Sequence, residues 1–245
     1  MSEFTTEKAF LEAYSIHDFD VPLMTVDMSI FSVINERLQV LIVKRAQYPS
    51  KGKWALPGGF VDIKKDKSLD ETAKRKLKTK TGVAAPYVEQ VETFGGPKRD
   101  PRGWSVTVAY MALISAEGVE LVSDEASEEV IWVPVDEVRG KYKLAFDHQE
   151  IFEVCMERLK SKVQYSSLPV NLLPKVFTLT ELQQTFEIVL GQTVEKKSFR
   201  RRILDAGILE ETGEMKTGSS RPAKLYRAIP EGQSYFFPRT IEGKR

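Results

Sequence analysis

A glycine pair shortly before a helix-forming stretch is the feature that most constrains the fold of this chain. The pair, Gly58-Gly59, continues into Phe60-Val61-Asp62 and is preceded by Trp54-Ala55-Leu56-Pro57. Glycines at such a turn let backbone N–H groups approach an anionic ligand closely. The pair alone is typical of an ordinary turn, so its meaning depends on the residues on both sides.

The residues after the glycine pair predict a helix from Ser68 to about Thr81. Ser68-x-x-Glu71 is a capping-box pattern at the start, and Gly82 is typical of the position just beyond the end. Apolar residues of this stretch recur every four positions, at Leu69, Ala73 and Leu77. They supply one face for burial against a sheet.

The other elements of the first two thirds of the chain predict an α+β fold. A short helix is predicted over residues 4–14, and a longer helix from Asp147 to about Lys160. Asn35-Glu36 separates two strand-like runs and is a candidate for a tight turn. The predicted strands are Thr25–Val33, Leu38–Val43, Val88–Phe94, Val106–Ile114 and Val130–Val135.

The segment from the glycine pair to Val83 resembles the Nudix box. That box reads Gly, five residues, Glu, seven residues, and then Arg-Glu-aliphatic-x-Glu-Glu-x-Gly-aliphatic. This chain has Arg75, Leu77 and Gly82-Val83 at the matching positions. The resemblance covers most of residues 20–160 and implies the Nudix α/β/α sandwich around a mixed sheet.

The departures from the box concern its metal-binding glutamates. Counted back from Gly82, the positions of the four glutamates are occupied by Lys67, Lys76, Thr79 and Lys80. In active relatives that helix presents carboxylates to Mg²⁺, a cation that prefers oxygen ligands. Ammonium groups repel it instead, since two unit charges ~4 Å apart interact by about 4 kcal/mol at an effective dielectric constant of about 20. The sequence therefore predicts no catalytic residue, no metal site and no metal-dependent hydrolysis.

Nearby carboxylates are the only groups that could restore a metal site. They are Asp62, Asp66, Asp70 and Glu71. The last two lie in the first turn of the predicted helix, where capping and the helix dipole already explain acidic residues.

A loop stiffened by proline and glycine, from Gly95 to Trp104, carries groups that suit a nucleotide. The guanidinium forks of Arg99 and Arg102 suit phosphate, and the Asp100 carboxylate can accept hydrogen bonds from ribose hydroxyls. The indole of Trp104 can stack on a purine. The residues alone also fit a solvated hairpin loop with a partly buried tryptophan.

The string Arg-Asp-Pro-Arg-Gly at residues 99–103 is similar to Nudix enzymes that act on ADP-ribose. The same subgroup is matched by Lys44-Arg45, Gly52-Lys53-Trp54 and Phe146-Asp147-His148. The resemblance implies ADP-ribose as an effector ligand and no cofactor. The predicted ligand-binding residues are Arg45, Trp54, Gly58, Gly59, Phe60, Arg99, Asp100, Arg102 and Trp104. For His148, packing or capping at a helix start and ligand contact stay equally open.

The charge balance changes near residue 170. Residues 1–170 carry 23 Lys and Arg against 26 Asp and Glu, whereas residues 171–245 carry 13 against 9. Pro169 and Pro174 lie at the same place and are typical of a connector. We therefore expect a Nudix-like ligand-binding domain over residues 1–160, a linker over 161–176 and a second domain over 177–245.

The second domain is predicted to contain a helix-turn-helix. Thr178-Leu179-Thr180-Glu181 opens a first helix that ends at Gly191, and a second helix runs from about Glu195 to Ala206. The second helix has an apolar side with Phe199, Ile203 and Ala206, and an opposite side with Lys197, Arg200 and Arg201. A recognition helix requires this division between core and DNA. Leu204 falls on the cationic side, where packing by the neighbouring helix is the one role we assign to it.

Two predicted strands, Ile208–Glu211 and Lys224–Arg227, flank a loop from Gly213 to Ala223. Its hydroxyl groups and cations suit a wing that grips phosphate or the minor groove. The predicted DNA-binding residues of helix and wing are Lys196, Lys197, Ser198, Arg200, Arg201, Arg202, Lys216, Ser219, Ser220 and Arg221.

A degenerate Nudix domain followed by a winged helix-turn-helix resembles one family, the Nudix-related transcriptional regulators of NAD metabolism (NrtR family). The stretches 199–209 and 219–226 carry the resemblance in the second domain. It implies a homodimeric repressor of NAD biosynthesis or salvage genes that binds a palindromic double-stranded operator. It also implies a Nudix pocket that senses ADP-ribose or a related NAD metabolite, with release of the operator as the family's behaviour.

Two other functions stay open at this point. One is a Mg²⁺-dependent pyrophosphohydrolase of ADP-ribose or a nucleotide sugar, with a C-terminal oligomerisation domain. The other makes the Nudix-like domain a dimerisation scaffold only. No apolar run approaches the roughly 20 residues that a membrane helix needs, and the first residues are polar and acidic. We therefore expect a cytoplasmic protein without a membrane partner.

Overall fold

The structure is a computed structural model, and it describes residues 4–85, 87–217 and 222–241. The helices of this part are α1 (Glu7–Ala13), α2 (Leu69–Thr81), α3 (Val135–Lys141), α4 (His148–Val163), α5 (Leu179–Leu190) and α6 (Lys196–Asp205). The strands are β1 (Leu23–Ile34), β2 (Arg37–Arg45), β3 (Trp54–Ala55), β4 (Gly58–Phe60), β5 (Tyr87–Gly96), β6 (Ser105–Leu113), β7 (Ser127–Pro134), β8 (Phe177–Thr178), β9 (Leu209–Lys216) and β10 (Ala223–Ala228).

The strands of the first domain form one mixed sheet. Its main order is β3-β2-β1-β6-β5, with β4 paired to β1 and β7 paired to β2. The central pair β1–β6 is parallel, whereas β1–β2, β2–β7 and β5–β6 are antiparallel. The predicted turn between β1 and β2 is present, and Asn35 and Glu36 both have positive φ, 51° and 57°. Two consecutive residues with positive φ are the requirement of a type I′ hairpin turn.

Side chains alternate across the sheet, and they build a separate hydrophobic core on each face. One face carries Val26, Met28 and Ile30 of β1, which are fully buried with Ala73 and Leu77 of α2. The opposite face packs against α4, and its core includes Phe31, Val40, Ile42, Ile151 and Phe152. The predicted α+β class and the α/β/α sandwich are therefore confirmed.

The predicted bounds of α2 agree with its observed ends. The Ser68 hydroxyl accepts a hydrogen bond from the Glu71 backbone N–H at 3.2 Å, and Gly82 follows the helix with φ 71°. The second half of the capping box differs from the prediction. The Glu71 carboxylate accepts from the backbone N–H of Lys67, one residue earlier than Ser68.

The region predicted as a linker contains regular structure. Helix α4 continues to Val163, three residues beyond the expected end, and Leu168–Leu172 form a 3₁₀ turn whose residues are all buried. Apolar side chains at Leu168, Val170 and Leu172 explain this burial, because they join the core beneath α4. Helix α3 was not expected from the sequence. The division at residues 161–176 stays a prediction.

The second domain is a winged helix with a core that is continuous with that of the α4 face. Phe186 of α5 and Phe199 of α6 meet edge to face, with ring centroids 5.1 Å apart, and both side chains are buried. The sheet has the order β8-β10-β9. Strand β8, formed by Phe177–Thr178, was not expected, and β9 extends to Lys216, into the predicted wing loop.

The segment after β10 returns to the end of α4. The backbone N–H of Phe237 donates to the Tyr165 carbonyl at 2.7 Å, and that of Ile241 to the Gln164 carbonyl at 2.5 Å. Arg202 of α6 donates to the carbonyls of Arg239 and Thr240 in the same segment. The segment therefore contacts both domains. Within the described part of the chain, no helix is long and apolar enough to cross a membrane.

Candidate ligand pocket and DNA-binding surface

A polar cavity of about 260 Å³ opens where β1, β2, β4, α2 and the loop after β5 meet. Five cationic and two anionic side chains line it, so the charge of the lining is predominantly positive: Arg45, Lys76, Lys80, Arg99, Arg102, Asp27 and Asp100. Gly58, Gly59, Phe60, Phe146 and His148 line it as well. A cavity of this charge suits an anionic ligand.

Arg99 is the buried cation at the base of the cavity. Its Nε and Nη2 donate to the Asp147 carboxylate at 2.8 and 3.0 Å, and Nη2 lies 3.6 Å from Asp27 Oδ2. Asp147 is the N-cap residue of α4, but its carboxylate makes no capping hydrogen bond and accepts from Arg99 instead. The ion pair between Arg99 and Asp147 thus connects the loop that ends at Trp104 to the start of α4.

Arg102 and Arg45 lie nearer the mouth of the cavity. Arg102 is paired with Asp100 at 2.6 Å, and its guanidinium lies 4.9 Å from the centroid of the Phe60 ring. Arg45 lies 4.9 Å from the centroid of the Phe146 ring. Burial, followed by the charge of Arg102, lowers the pKa of Arg45. Each planar guanidinium is therefore held against a ring, which orients its donors.

The glycine pair has a steric role. A Cβ on Gly58 would lie 2.5 Å from the Val26 carbonyl oxygen and in collision with the Asp27 carboxylate. Gly59 has φ 134°, a conformation that L side chains rarely adopt. The absence of a side chain at Gly58 allows β4 to lie close against β1, where Gly58 is opposite Asp27 and Gly59 is opposite Val26.

The four positions that the box reserves for glutamate are not equivalent in the structure. Lys76 and Lys80 line the cavity, whereas Lys67 and Thr79 are exposed outside it. The Lys80 side chain is 92% buried, and its Nζ lies 2.6 Å from Asp124 Oδ2. The helix face that carries carboxylates in active relatives thus presents Lys80, which is paired with a carboxylate, and Lys76, which has no such partner among the described residues.

The carboxylates that could have restored a metal site are engaged elsewhere. Asp66 receives a two-fold hydrogen bond from Arg75, and this guanidinium holds the pKa of Asp66 far below its ordinary value. Asp70 accepts from the Tyr110 hydroxyl at 2.7 Å. Asp62 pairs with Lys65 at 3.2 Å, and Glu71 binds the backbone. Among the described residues, no group of three acidic, histidine or cysteine side chains could hold a metal ion.

The cavity brings together seven of the nine predicted ligand-binding residues. Trp54 lies apart from it and packs edge to face on Tyr142, at 5.6 Å between ring centroids. Trp104 is about half exposed and lines a different cavity beside the N-terminal segment. The role of all nine residues in ligand binding stays a prediction.

Several lining residues were absent from the predicted ligand-binding set. Asp27 lies in the middle of β1 and accepts from the Thr107 hydroxyl at 2.7 Å. A carboxylate inside an apolar strand was a signal that could have identified it, because buried acids require partners. Phe146 has φ 57°, which turns the chain before α4 and places its ring in the cavity.

His148 performs the structural role that the sequence left open, and it also lines the cavity. Its Nδ1 accepts the backbone N–H of Leu56 at 2.9 Å, and its Nε2 lies 3.7 Å from Asp27 Oδ1. Burial is the main cause that lowers the pKa of His148, against the opposing effect of Asp27 and Asp147. The imidazole is therefore neutral when it accepts from Leu56.

Acid destabilisation through His148 is the first testable consequence. The unfolded chain binds a proton at the ordinary pKa of about 6.5, whereas the folded chain resists protonation, so stability falls as the pH drops below about 6.5. The slope contributed by one such proton approaches 1.4 kcal/mol per pH unit. We expect urea unfolding of His148→Asn, whose amide oxygen can accept from Leu56, to lack this slope as the pH falls below about 6.5.

The chain supplies a matched control for that experiment. His17, the other of its two histidines, is exposed in a 3₁₀ turn. His17→Asn should leave the pH dependence of unfolding unchanged. Equal slopes for the wild type and His148→Asn would contradict the assignment of the neutral buried imidazole.

The second candidate surface is the solvent-facing side of α6. Phe199 and Ile203 are buried against the domain core, as predicted. Lys196, Lys197, Ser198 and Arg201 are exposed. Glu195 is the N-cap residue of the helix, and its carboxylate accepts from the backbone N–H groups of Lys197 and Ser198. This division leaves a cationic face free to meet a phosphate backbone.

The other residues of the predicted DNA-binding set have partners within the chain or lie outside the described residues. Arg200 is half-buried and donates to the Thr180 hydroxyl at 3.0 Å, while Lys216 is paired with Glu181. Arg202 donates to the Arg239 carbonyl at 3.0 Å and to the Thr240 carbonyl, so it holds the C-terminal segment. Ser219, Ser220 and Arg221 lie outside the described residues.

Leu204 is 48% exposed. Packing by the neighbouring helix, the role that we assigned to it from the sequence, is therefore wrong. The mismatch arises because α5 contacts the opposite side of α6, where Phe199 lies.

Two family models match the chain. The model of the NUDIX domain matches residues 24–155, and the model of the NrtR DNA-binding winged helix domain matches residues 169–228. Over 242 residues the chain is 48% identical to the ADPR responsive transcriptional repressor NtrR of Acinetobacter baylyi, an alignment that covers 99% of this chain and 96% of that protein. Over 132 residues it is 30% identical to the ADP-ribose pyrophosphatase of Methanocaldococcus jannaschii, which covers 54% of this chain and 72% of that enzyme.

Solved structures of Shewanella oneidensis NrtR are similar to both domains. The structure of that protein with a 27mer DNA has a TM-score of 0.83 at 44% identity, and covers 89% of this chain and 99% of the other. The structure of its NUDIX domain with ADP ribose has a TM-score of 0.59 at 43% identity, and covers 63% of this chain and 99% of the other. The order of the two domains and the whole-length similarity together show that the chain belongs to the NrtR family.

Proposed function

We propose that the chain is a DNA-binding transcriptional repressor of NAD biosynthesis or salvage genes, controlled by ADP-ribose or a related NAD metabolite. The observation that carries the proposal is one chain with both an electropositive Nudix cavity and an exposed cationic helix. The chain is similar in sequence, over 96% of the relative's length, to a repressor named for its response to ADP-ribose. An alignment of that length includes both domains.

The cavity provides the groups that ADP-ribose requires. The two phosphates of ADP-ribose are anionic. Arg45 and Arg102 present guanidinium forks at the mouth of the cavity. Phe60 and Phe146 offer aromatic faces beside those forks, and the Asp100 carboxylate can accept from ribose hydroxyls. The S. oneidensis relative was crystallised with ADP ribose in its NUDIX domain. The ligand is proposed to act as an effector, with no cofactor.

The cationic face of α6 is proposed to enter the major groove of operator DNA. In helix-turn-helix proteins the second helix reads base edges, and a symmetric dimer reads two half-sites of a palindrome. Lys197 and Arg201 are exposed on this face. We propose a homodimer on a palindromic operator.

Metal-dependent hydrolysis is the second candidate function, and the 30% identity to the M. jannaschii pyrophosphatase favours it. Against it stand Lys76 and Lys80 on the helix face that carries the glutamates of the box. Without carboxylate ligands the site lacks an activated water and a metal clamp for the leaving group. We propose that the pocket binds its ligand without cleaving it.

Release of DNA by ADP-ribose is the expected result of a binding assay. The probe is a labelled fragment of the DNA upstream of the gene for this chain, and fluorescence anisotropy gives its Kd. Saturating ADP-ribose should raise that Kd by about tenfold or more, within the usual range of allosteric coupling. A ligand shifts the equilibrium only if it binds the DNA-free arrangement more tightly.

AMP and ribose 5-phosphate, the two products of hydrolysis, are the matched controls, and neither should change the Kd. The same samples with Mg²⁺ should contain no AMP after incubation with ADP-ribose. Sustained production of AMP would favour the hydrolase. ADP-ribose that causes neither heat in calorimetry nor a change in melting temperature would favour the scaffold function.

A further inference from the structure

Lys76 is the cavity residue that the functions described so far leave without a role. It lies on α2 and is half-buried. Its Nζ would be 2.8 Å from a Cβ on Gly59, so the ammonium lies directly over the glycine pair. The ammonium therefore lies beside Gly59 at the wall of the cavity, which both residues line.

The other cations of the cavity are already engaged. Lys80 is paired with Asp124, Arg102 with Asp100, and Arg99 with Asp147 and Asp27. Arg45 donates its Nε to the Pro49 carbonyl at 2.9 Å. Within the described residues, Lys76 has no hydrogen-bond acceptor and no carboxylate within 4 Å.

An ammonium in this position is disfavoured in the absence of a ligand. Burial, followed by the charge of Arg75, lowers the pKa of Lys76, and the more distant Asp124 and Asp66 only partly oppose these effects. An anion bound in the cavity beside Lys76 would stabilise the ammonium, because it would replace the lost solvation with a charge-assisted hydrogen bond.

We propose that Lys76 binds the diphosphate group of the ligand directly and takes the place of the divalent cation that a Nudix pocket with glutamates would use. The inference rests on the proposed function and adds to it a ligand-binding residue and ligand binding that requires no metal. The ammonium supplies a positive charge beside Gly59, at the wall of the cavity. Binding of a diphosphate ester is therefore independent of metal, and the exchange of Glu for Lys at this position converts a metal site into an anion site.

The test is calorimetry of ADP-ribose with the full chain in EDTA. The wild type should bind under these conditions, and added Mg²⁺ should leave its affinity unchanged. Lys76→Met keeps the length of the side chain but removes the charge, and it should weaken binding by about tenfold or more, the effect of losing a charge-assisted hydrogen bond. Lys74→Met is the matched control, because Lys74 is an exposed lysine of the same helix outside the cavity. Its affinity should equal that of the wild type.

A second variant separates charge from folding. Lys76→Arg keeps the positive charge and should retain binding within about threefold, whereas loss of binding equal to that of Lys76→Met would overturn the inference. Equal affinity of Lys76→Met and wild type, or a wild type that binds only with Mg²⁺, would also overturn it and leave the repressor function intact. A wild type that binds no ADP-ribose under any condition would instead refute the proposed function.

Discussion

Replacing Arg200 and Arg201 together by alanine is expected to reduce operator affinity by between about 30-fold and 10,000-fold, because each arginine contact to DNA contributes about 1–3 kcal/mol. Arg201 is exposed on the cationic face of α6, where it can reach phosphates or base edges. Arg200 reaches the Thr180 hydroxyl and is half-buried. Its loss should act through both the charge and the position of α6 against α5.

The salt dependence of binding distinguishes these two effects. Each cation that neutralises a phosphate contributes about −0.9 to the slope of log K against log salt concentration. Arg201→Ala should therefore reduce the slope by about one, and anisotropy titrations at several salt concentrations measure it. An unchanged Kd in the double variant would refute the assignment of α6 as the recognition helix.

Two exposed arginines of the first domain provide a matched control. Arg37 pairs with Asp136 and Glu137, and Arg139 pairs with Glu153. Their joint replacement by alanine removes the same number of charges far from α6. It should change the Kd for the operator little, and the melting temperature of both double variants should be compared to verify folding.

Gly58→Ala is expected to cost about 1–3 kcal/mol or more of unfolding free energy, the range for overpacking of a tight interior. The new Cβ would lie 2.5 Å from the Val26 carbonyl oxygen and 2.9 Å from the Asp27 Cα, which are backbone atoms that cannot rotate away. Relief requires β4 to separate from β1. That movement displaces Asp27, which accepts from Thr107, and opens the cavity beside it.

Gly96→Ala is the control for that substitution. Gly96 is the last residue of β5, just before the loop that leads to Trp104. A Cβ on Gly96 would meet no atom within 4 Å. We expect its unfolding free energy to stay within about 0.5 kcal/mol of the wild type in urea titrations. Gly58→Ala should also weaken ADP-ribose binding in calorimetry. Wild-type stability of Gly58→Ala would show that β4 does not need this close approach to β1.

Local sequence patterns determined the elements whose signals lie within a few residues. The ends of α2 followed from Ser68 and Gly82, because capping depends on neighbouring backbone groups. The turn at Asn35-Glu36 and the buried side of α6 followed from the same short-range rules. Helix α3 and strand β8 escaped prediction, since Val135–Lys141 and Phe177–Thr178 are short and have no strong periodic pattern.

The sequence by itself determined that this chain is a Nudix-type domain joined to a winged helix, and that lysines occupy positions of the metal-binding glutamates. These features depend on residue identity at fixed spacing. Only the tertiary structure decided which of those residues share a cavity, because partners such as Arg99 and Asp147 are 48 residues apart and meet through the packing of α4 on the sheet. The same packing placed Lys80 against Asp124 and left Lys76 facing the cavity. It also drew Arg202 to the C-terminal segment and separated Trp54 and Trp104 from the ligand pocket, since long-range contacts are set by the burial of whole faces.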